Sequence, residues 1–398
     1  MVSAFGWLDT DRSQRQQMLE LVDQFREQGT VDDLGIGQIR DAFGDLLFPG
    51  SSTLHTRLRY ALFMPWLLQR AARARSASEM AQELRRLEFR LIDSLRKGDA
   101  GEGILGSSSG RDLKRLPSSV YWAMLGTWGI RTRDYSPGEF FANAVRLRAL
   151  RANNPTSDDP ESRALPIDSG LDPRLPEAPD DLVKQVNFIL TPEEADYLTD
   201  RITAAAPRSV LAWLVHNPPS NPVSEYGAVW DLPHLARAPD ENRLLVDHAQ
   251  RFSQAIYGAN LTYNLLLARA SSREELICRY ASGIADWSVE TRSLGTMRDG
   301  DRAEFWQTIT AQTRISAPTR SFINTWLDHI AQGHDPVSDR RIHDLLTMRE
   351  KRLKGGRARL ANRSALDRWS GAVGLNRLTY RWGNVRTLLD DLYRGRGT

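Results

Sequence analysis

At 398 residues the chain is too long for one ordinary hydrophobic core, so more than one compact unit is expected. Its single cysteine, Cys278, excludes an intramolecular disulfide and a cysteine-rich zinc site and fits a reducing cytoplasm. With 41% hydrophobic residues and a net charge of +3, and with no run approaching the about 18 apolar residues of a membrane helix, it reads as a soluble, cytoplasmic protein. Residues 1–11 show no basic segment followed by an apolar run, so no signal peptide is expected.

Helical spacing dominates the chain. Residues 12–28 carry Met18, Leu19, Leu21, Val22 and Phe25, with Thr10 or Asp11 as cap and Gly29 as stop. Residues 54–73 read as a helix bent at Pro65. In 79–96 the residues Met80, Leu84, Leu87, Leu91 and Leu95 form one stripe, closed by Gly98. A glycine-rich loop spans 101–110, and Ser118 opens a short aromatic helix reaching Trp128. Ser136-Pro-Gly-Glu139 is a capping box leading into 140–150. Six prolines and many acidic and serine residues make 153–181 a linker between an N-terminal helical domain, 1–152, and a C-terminal helical domain, 182–398.

Beyond the linker, Thr191-Pro-Glu-Glu194 is a second capping box. Helices are predicted over 248–269, then after a Ser272/Glu275 cap, then over 302–313 and 319–332. Ser338 or Asp339 starts another that runs to Lys354 and stops at Gly355-Gly356, and a last one covers about 381–393. Strand signals are few, the best being 186–190 and 228–232. The predicted fold is a multi-domain helical protein, mainly α with minor β.

Charge is unevenly distributed. Residues 340–396 hold 15 Lys or Arg against five Asp or Glu, a local excess of ten in a chain whose total is +3. Trp369, Tyr380 and Trp382 are interleaved in that block. Localised positive charge with aromatics points to a polyanion, DNA or RNA. The candidate contacts are Arg349, Lys351, Arg352, Lys354, Arg357, Arg359, Arg363, Arg368, Arg377 and Arg381. A helix dipole explains one or two of these cations, and an acidic protein surface, or the chain's own linker, answers the same charge. Tyr380-Arg381-Trp382 suits either base stacking or, more commonly, anchoring of the following amphipathic helix.

A candidate anion site combines Ser51, Ser52, Arg57 and Arg59 with Arg111 and Lys114 of the glycine-rich loop, against the plain reading of a structural turn and a flexible connection. The loop lacks the Gly-Lys-Ser/Thr ending of a P-loop. No catalytic constellation stands out among the seven histidines, and no cofactor or metal is called for. His329 and His334 are five residues apart, poor spacing for one helical face; Asp339 and His343, four apart on one helix, read as an ordinary hydrogen-bonding pair ahead of a shared metal; and Cys278 reads as a buried structural thiol.

Several stretches resemble an uncharacterised bacterial family, a domain of unknown function. They are Phe5-Gly-Trp-Leu-Asp9; Asp41-Ala-Phe-Gly-Asp-Leu-Leu-Phe-Pro-Gly-Ser-Ser-Thr53 with Arg57, Arg59, Tyr60 and Pro65-Trp66; Gly103-Ile-Leu-Gly106 with Leu113-Lys-Arg-Leu-Pro-Ser118 and Tyr121-Trp122; and Lys354-Gly-Gly-Arg-Ala-Arg-Leu-Ala-Asn362 with Tyr380-Arg-Trp382. The resemblance implies a component of bacterial defence islands, near helicases and phospholipase-D-type nucleases, and it brings no catalytic residue. The function expected is therefore a non-catalytic, nucleic-acid-binding subunit of an anti-phage assembly that docks on such a partner. The alternatives are a protein-only scaffold or sensor, and a nuclease with an unfamiliar site in which His55, Asp41 and Asp45 are the residues to watch.

Overall fold

A computed structural model describes residues 32–98, 101–107, 113, 115–153, 169–295, 297 and 299–397. The helix expected over 12–28 lies outside the described residues. The described chain is mainly helical: α1 (Gly37–Leu47), α2 (Tyr60–Ala71), α3 (Ala77–Lys97), α4 (Pro117–Thr127), α5 (Pro137–Asn153), α6 (Pro192–Ala205), α7 (Val210–Leu214), α8 (Asp240–Ala270), α9 (Glu274–Leu294), α10 (Asp299–Thr310), α11 (Ala317–Ala331), α12 (Arg340–Lys354), α13 (Arg363–Asp367) and α14 (Trp382–Arg396). The one β-type pairing among the described residues is an isolated bridge between Arg131 and Leu171. Two compact units result, one from Met1–Phe43 with Asp247–Leu378, the other from Gly44–Val246 with Thr379–Thr398.

In the second unit, α2 packs against α3 and α4 and is buried on nearly every face, from Tyr60 through Leu68. The helix begins at Tyr60 rather than near Leu54, with no side-chain cap. The α3 stripe of Met80, Leu84, Leu87, Leu91 and Leu95 is buried as its spacing predicts, and Ser76 caps the helix by accepting from Glu79 N (3.2 Å). Both capping boxes form, Ser136 with Glu139 ahead of α5 and Thr191 with Glu194 ahead of α6. Of residues 153–181, the described part packs on α2: Trp66 Nε1 donates to Pro176 O (2.7 Å) and Arg70 Nη2 to Pro179 O (3.1 Å). The last helix, α14, packs on α6 and buries Trp382, Val385, Leu388, Leu389 and Leu392.

Neither strand signal becomes a strand. Val186, Phe188 and Leu190 are buried while Ile189 is 69% exposed, which is the alternation of an extended segment. That segment lies against helices, and Val186 N donates to Ser94 O (3.4 Å) of α3. Around 228–232 the chain forms a 3-10 turn, Val229–Asp231, because the Asp231 carboxylate accepts from Ala228 N (2.8 Å).

In the first unit, the rings of Phe43, Phe252 and Phe305 meet at 5.4–5.9 Å. Trp287 Nε1 and Trp326 Nε1 donate to adjacent carbonyls of α8, at Gln254 O and Ala255 O. Ser272 does not cap α9; it takes a left-handed φ of 52°, and the first flanking residue is Arg273.

Gly98 ends α3 against the extended segment, where an added Cβ would lie 1.9 Å from Val186 O. Gly98→Ala is expected to lower stability by about 1–3 kcal/mol, read from the denaturant midpoint; an unchanged midpoint would show that the segment yields freely.

Candidate nucleic-acid interface

The basic block divides by which way its side chains face. On α12, Ile342 and Leu346 are buried as expected, but so are Arg349 and Glu350. Arg349 donates from Nε to Leu34 O (2.9 Å) and from Nη2 to Gly35 O (3.0 Å) and Thr319 Oγ1 (3.0 Å), with its guanidinium over the Phe322 ring. The Glu350 carboxylate is wholly buried and accepts from the Tyr263 hydroxyl, Arg359 N (2.8 Å) and Leu360 N (3.0 Å). Asp33, also buried, is met by the Lys354 ammonium and by Arg359 Nη1 (2.7 Å). Three of the ten candidate cations thus hold the segment at 33–35 and the turn after α12 in place. A buried carboxylate needs such partners, since desolvation alone would make it unfavourable.

Five cations face outward. Lys351, Arg352, Arg357, Arg363 and Arg368 are exposed, along the end of α12, the turn Gly355–Arg357 and α13. Lys351, Arg352 and Arg357 make no side-chain hydrogen bond or ion pair among the described residues, whereas Arg363 pairs with Asp367 (3.1 Å) and Arg368 donates to Ser364 Oγ (3.1 Å). The turn is set by Gly355 (φ 54°), which ends α12 where the Gly-Gly pair predicts, and by Asn362, which donates to Gly356 O (2.7 Å) and caps α13. Arg377 is exposed but held by Glu290 and Gln254, over the Tyr257 ring.

Arg381 belongs to the second unit, where the stretch 45–59 meets 380–384. Its Nη1 donates to Asp45 Oδ1 (2.6 Å) and Ser51 O (2.8 Å), and Asn384 Nδ2 donates to His55 O (2.8 Å). Tyr380 and Arg381 both take left-handed φ, 51° and 72°, a costly pairing for non-glycine residues that this packing sustains. Tyr380 and Trp382 are core residues: Trp382 is fully buried, 5.9 Å from the Phe48 ring, with Nε1 donating to Tyr226 O (2.9 Å).

The serines of the candidate anion site stabilise a turn and do not cap a helix. Ser51 Oγ donates to Phe48 O (2.6 Å), and Ser52 Oγ accepts from Leu54 N (3.2 Å). The anion that Arg57 holds is the chain's own Asp391, bound through Nε (3.0 Å) and Nη2 (2.6 Å). Arg59 Nη2 likewise donates to Glu194 Oε1 (2.7 Å). Arg111 and Lys114 lie outside the described residues.

His55 is buried, stacked 4.4 Å from Tyr121, with Nε2 donating to Val120 O (3.2 Å) and no partner on Nδ1 among the described residues. Burial lowers its pKa to about 4, so it is neutral near pH 7. Asp41 and Asp45 pair instead with Arg40 and Arg381. Among the described residues no group of three His, Cys, Asp or Glu side chains is placed to hold a metal. Cys278 is exposed, not buried. His329 and His334 do meet, Nδ1 to Nδ1 at 2.8 Å, because Gly333 (φ 72°) reverses the chain after α11. The Asp339 carboxylate is engaged by Arg341, which it also caps through N (2.9 Å), and His343 Nε2 donates to Pro336 O (2.9 Å).

The buried charges left unread in the sequence, Glu88, Glu350 and Asp391, carry one signal. Each falls on the apolar stripe of its helix, at 84/88/91, 346/350 and 388/391/392. Glu88 Oε1 accepts from Ser118 N (2.7 Å) at the start of α4, while burial pushes its carboxyl up to about 7.

The architecture and surface define a mainly helical protein whose described residues include an outward basic face on α12 and α13 and a second unit in which the C-terminal helix packs on α6. The chain belongs to a family of unknown function (DUF6361), whose model matches residues 2–395. No curated protein and no solved structure matches it.

The buried charges make the stability of the protein testable at two points. Asp391→Ala leaves Arg57 uncompensated and should cost roughly 3 kcal/mol or more in chemical denaturation; a cost near zero would show that the pair is idle. Glu88 binds more protons folded than unfolded between its ordinary 4.5 and about 7, so its contribution makes stability fall as pH rises across that window. His55 acts oppositely, with stability lost as pH drops from its ordinary 6.5 to about 4. Glu88→Gln should remove the decline, worth up to roughly 3 kcal/mol, from a stability-against-pH curve and leave the acid-side fall due to His55.

Proposed function

We propose that the protein is a non-catalytic, nucleic-acid-binding subunit of a bacterial anti-phage assembly. The observation that carries the reading is the outward set Lys351, Arg352, Arg357, Arg363 and Arg368, spread over the end of α12, the turn after it and α13 with its C-cap. Lys351, Arg352 and Arg357 have no internal partner among the described residues, which leaves their charge available to phosphates. Arg349, Lys354 and Arg359 support this face from beneath. The defence setting, and a helicase or phospholipase-D-type nuclease as docking partner, come from the family resemblance.

A protein-only scaffold is favoured by a different observation. Met348 is 63% exposed and Leu353 42% exposed, flanking Lys351 and Arg352, and apolar side chains beside cations suit an acidic, partly apolar protein surface.

Binding of duplex DNA across about 50 to 300 mM salt separates the two. Affinity should fall steeply with salt, and Lys351→Glu/Arg352→Glu/Arg357→Glu should reduce the logarithmic slope by about 0.9 for each phosphate that is no longer neutralised. Absence of binding at low salt sinks the nucleic-acid reading, and a triple variant that binds like the wild type overturns the assignment of that binding to the C-terminal cations.

A further inference from the structure

The second unit carries a basic face of its own, on the outward side of α3. Gln82, Arg85, Arg86, Phe89, Arg90 and Arg96 lie along one side of the helix, opposite the buried stripe of Met80, Leu84, Leu87, Leu91 and Leu95. Together with Ile92 and Asp93 they line a depression of roughly 660 Å³. Arg86 is held by Glu83 (2.6 Å), and Arg96 donates to Ser107 O (2.6 Å) with Asp93 at 3.6 Å. Arg90 has no hydrogen bond or ion pair among the described residues, and Arg85 lies over the Phe89 ring (5.3 Å) without an ion pair.

Phe89 lies at the centre of four arginines on this face, of which only Arg86 and Arg96 have carboxylate partners among the described residues, so the face keeps an excess of positive charge around the ring. Arginine forks match phosphate oxygens, and a base could replace Arg85 on the half-buried Phe89 ring while Arg85 turns to a phosphate. Duplex DNA keeps its bases stacked inside, so a ring is of use to a strand whose bases are free. We infer that the α3 face binds single-stranded nucleic acid, with phosphates on Arg85, Arg86, Arg90 and Arg96 and one base on Phe89. An acidic peptide would satisfy the arginines too, and the flat ring among them is what favours a base over it. The inference rests on the nucleic-acid reading above and adds to it a strand preference, located on different residues in a different unit.

The test uses the full chain, a labelled oligothymidine of about 20 nucleotides and a duplex of equal length. Phe89→Ala should weaken oligothymidine binding about fivefold or more while leaving duplex binding unchanged. Arg85→Gln/Arg90→Gln, at two outward positions that leave the core untouched, should weaken it further and flatten its salt dependence. If both α3 variants bind the oligonucleotide like the wild type while Lys351→Glu/Arg352→Glu/Arg357→Glu no longer binds duplex, the inference fails and the C-terminal reading stands. Weakening confined to the α3 variants overturns the C-terminal reading and keeps the inference. A chain that binds neither probe at low salt overturns both.

Discussion

The second unit depends on a carboxylate near the end of the chain. Asp391, on α14, takes the guanidinium of Arg57 and the amide of Leu58, 334 and 333 residues earlier. Those two residues lie just ahead of α2, which is buried on nearly every face and has no side-chain cap of its own. Burial works against ionising Asp391 and raises its pKa, so the charge persists because Arg57 neutralises it. The same helix brings Arg381 to Asp45 and Asn384 to the carbonyl of His55. The loop at 48–59 is thus held from one side by α14 and from the other by Tyr121 and Trp128.

The first unit solves the same problem with a different set. Asp33 and Glu350 are both buried, and Lys354, Arg359 and the Tyr263 hydroxyl surround them. Because Glu350 also accepts the backbone amides of 359 and 360, it fixes the turn that displays Arg357. Buried ion pairs of this kind contribute little net stability, but removing one partner is expensive, which makes them effective at specifying one arrangement. The outward cations are therefore presented by a fixed turn and do not form a loose basic tail.

Much of the helical content was legible from local rules. Capping boxes at 136–139 and 191–194, the α3 stripe and the stops at Gly98 and Gly355 all concern residues within a turn or two of each other. Extended chain without a strand partner misled at 186–190, since alternate burial gives period two whatever lies beneath. The His329–His334 contact was not legible because five-residue spacing is poor only on a continuing helix, whereas a left-handed glycine folds the chain back.

The sequence by itself determined most of the described helices but not α1, α7 or α13, together with the ten-charge excess of residues 340–396 and the family resemblance, because propensity, capping and composition are local or additive. Which of those charges reach solvent was decided only in three dimensions. Arg349 and Lys351 are two residues apart, one buried against Leu34 and Gly35 and one exposed. Arg57 and Arg359 are neutralised by carboxylates more than 300 residues away. Desolvation and Coulomb attraction depend on distance in space, and no spacing along the chain encodes that distance.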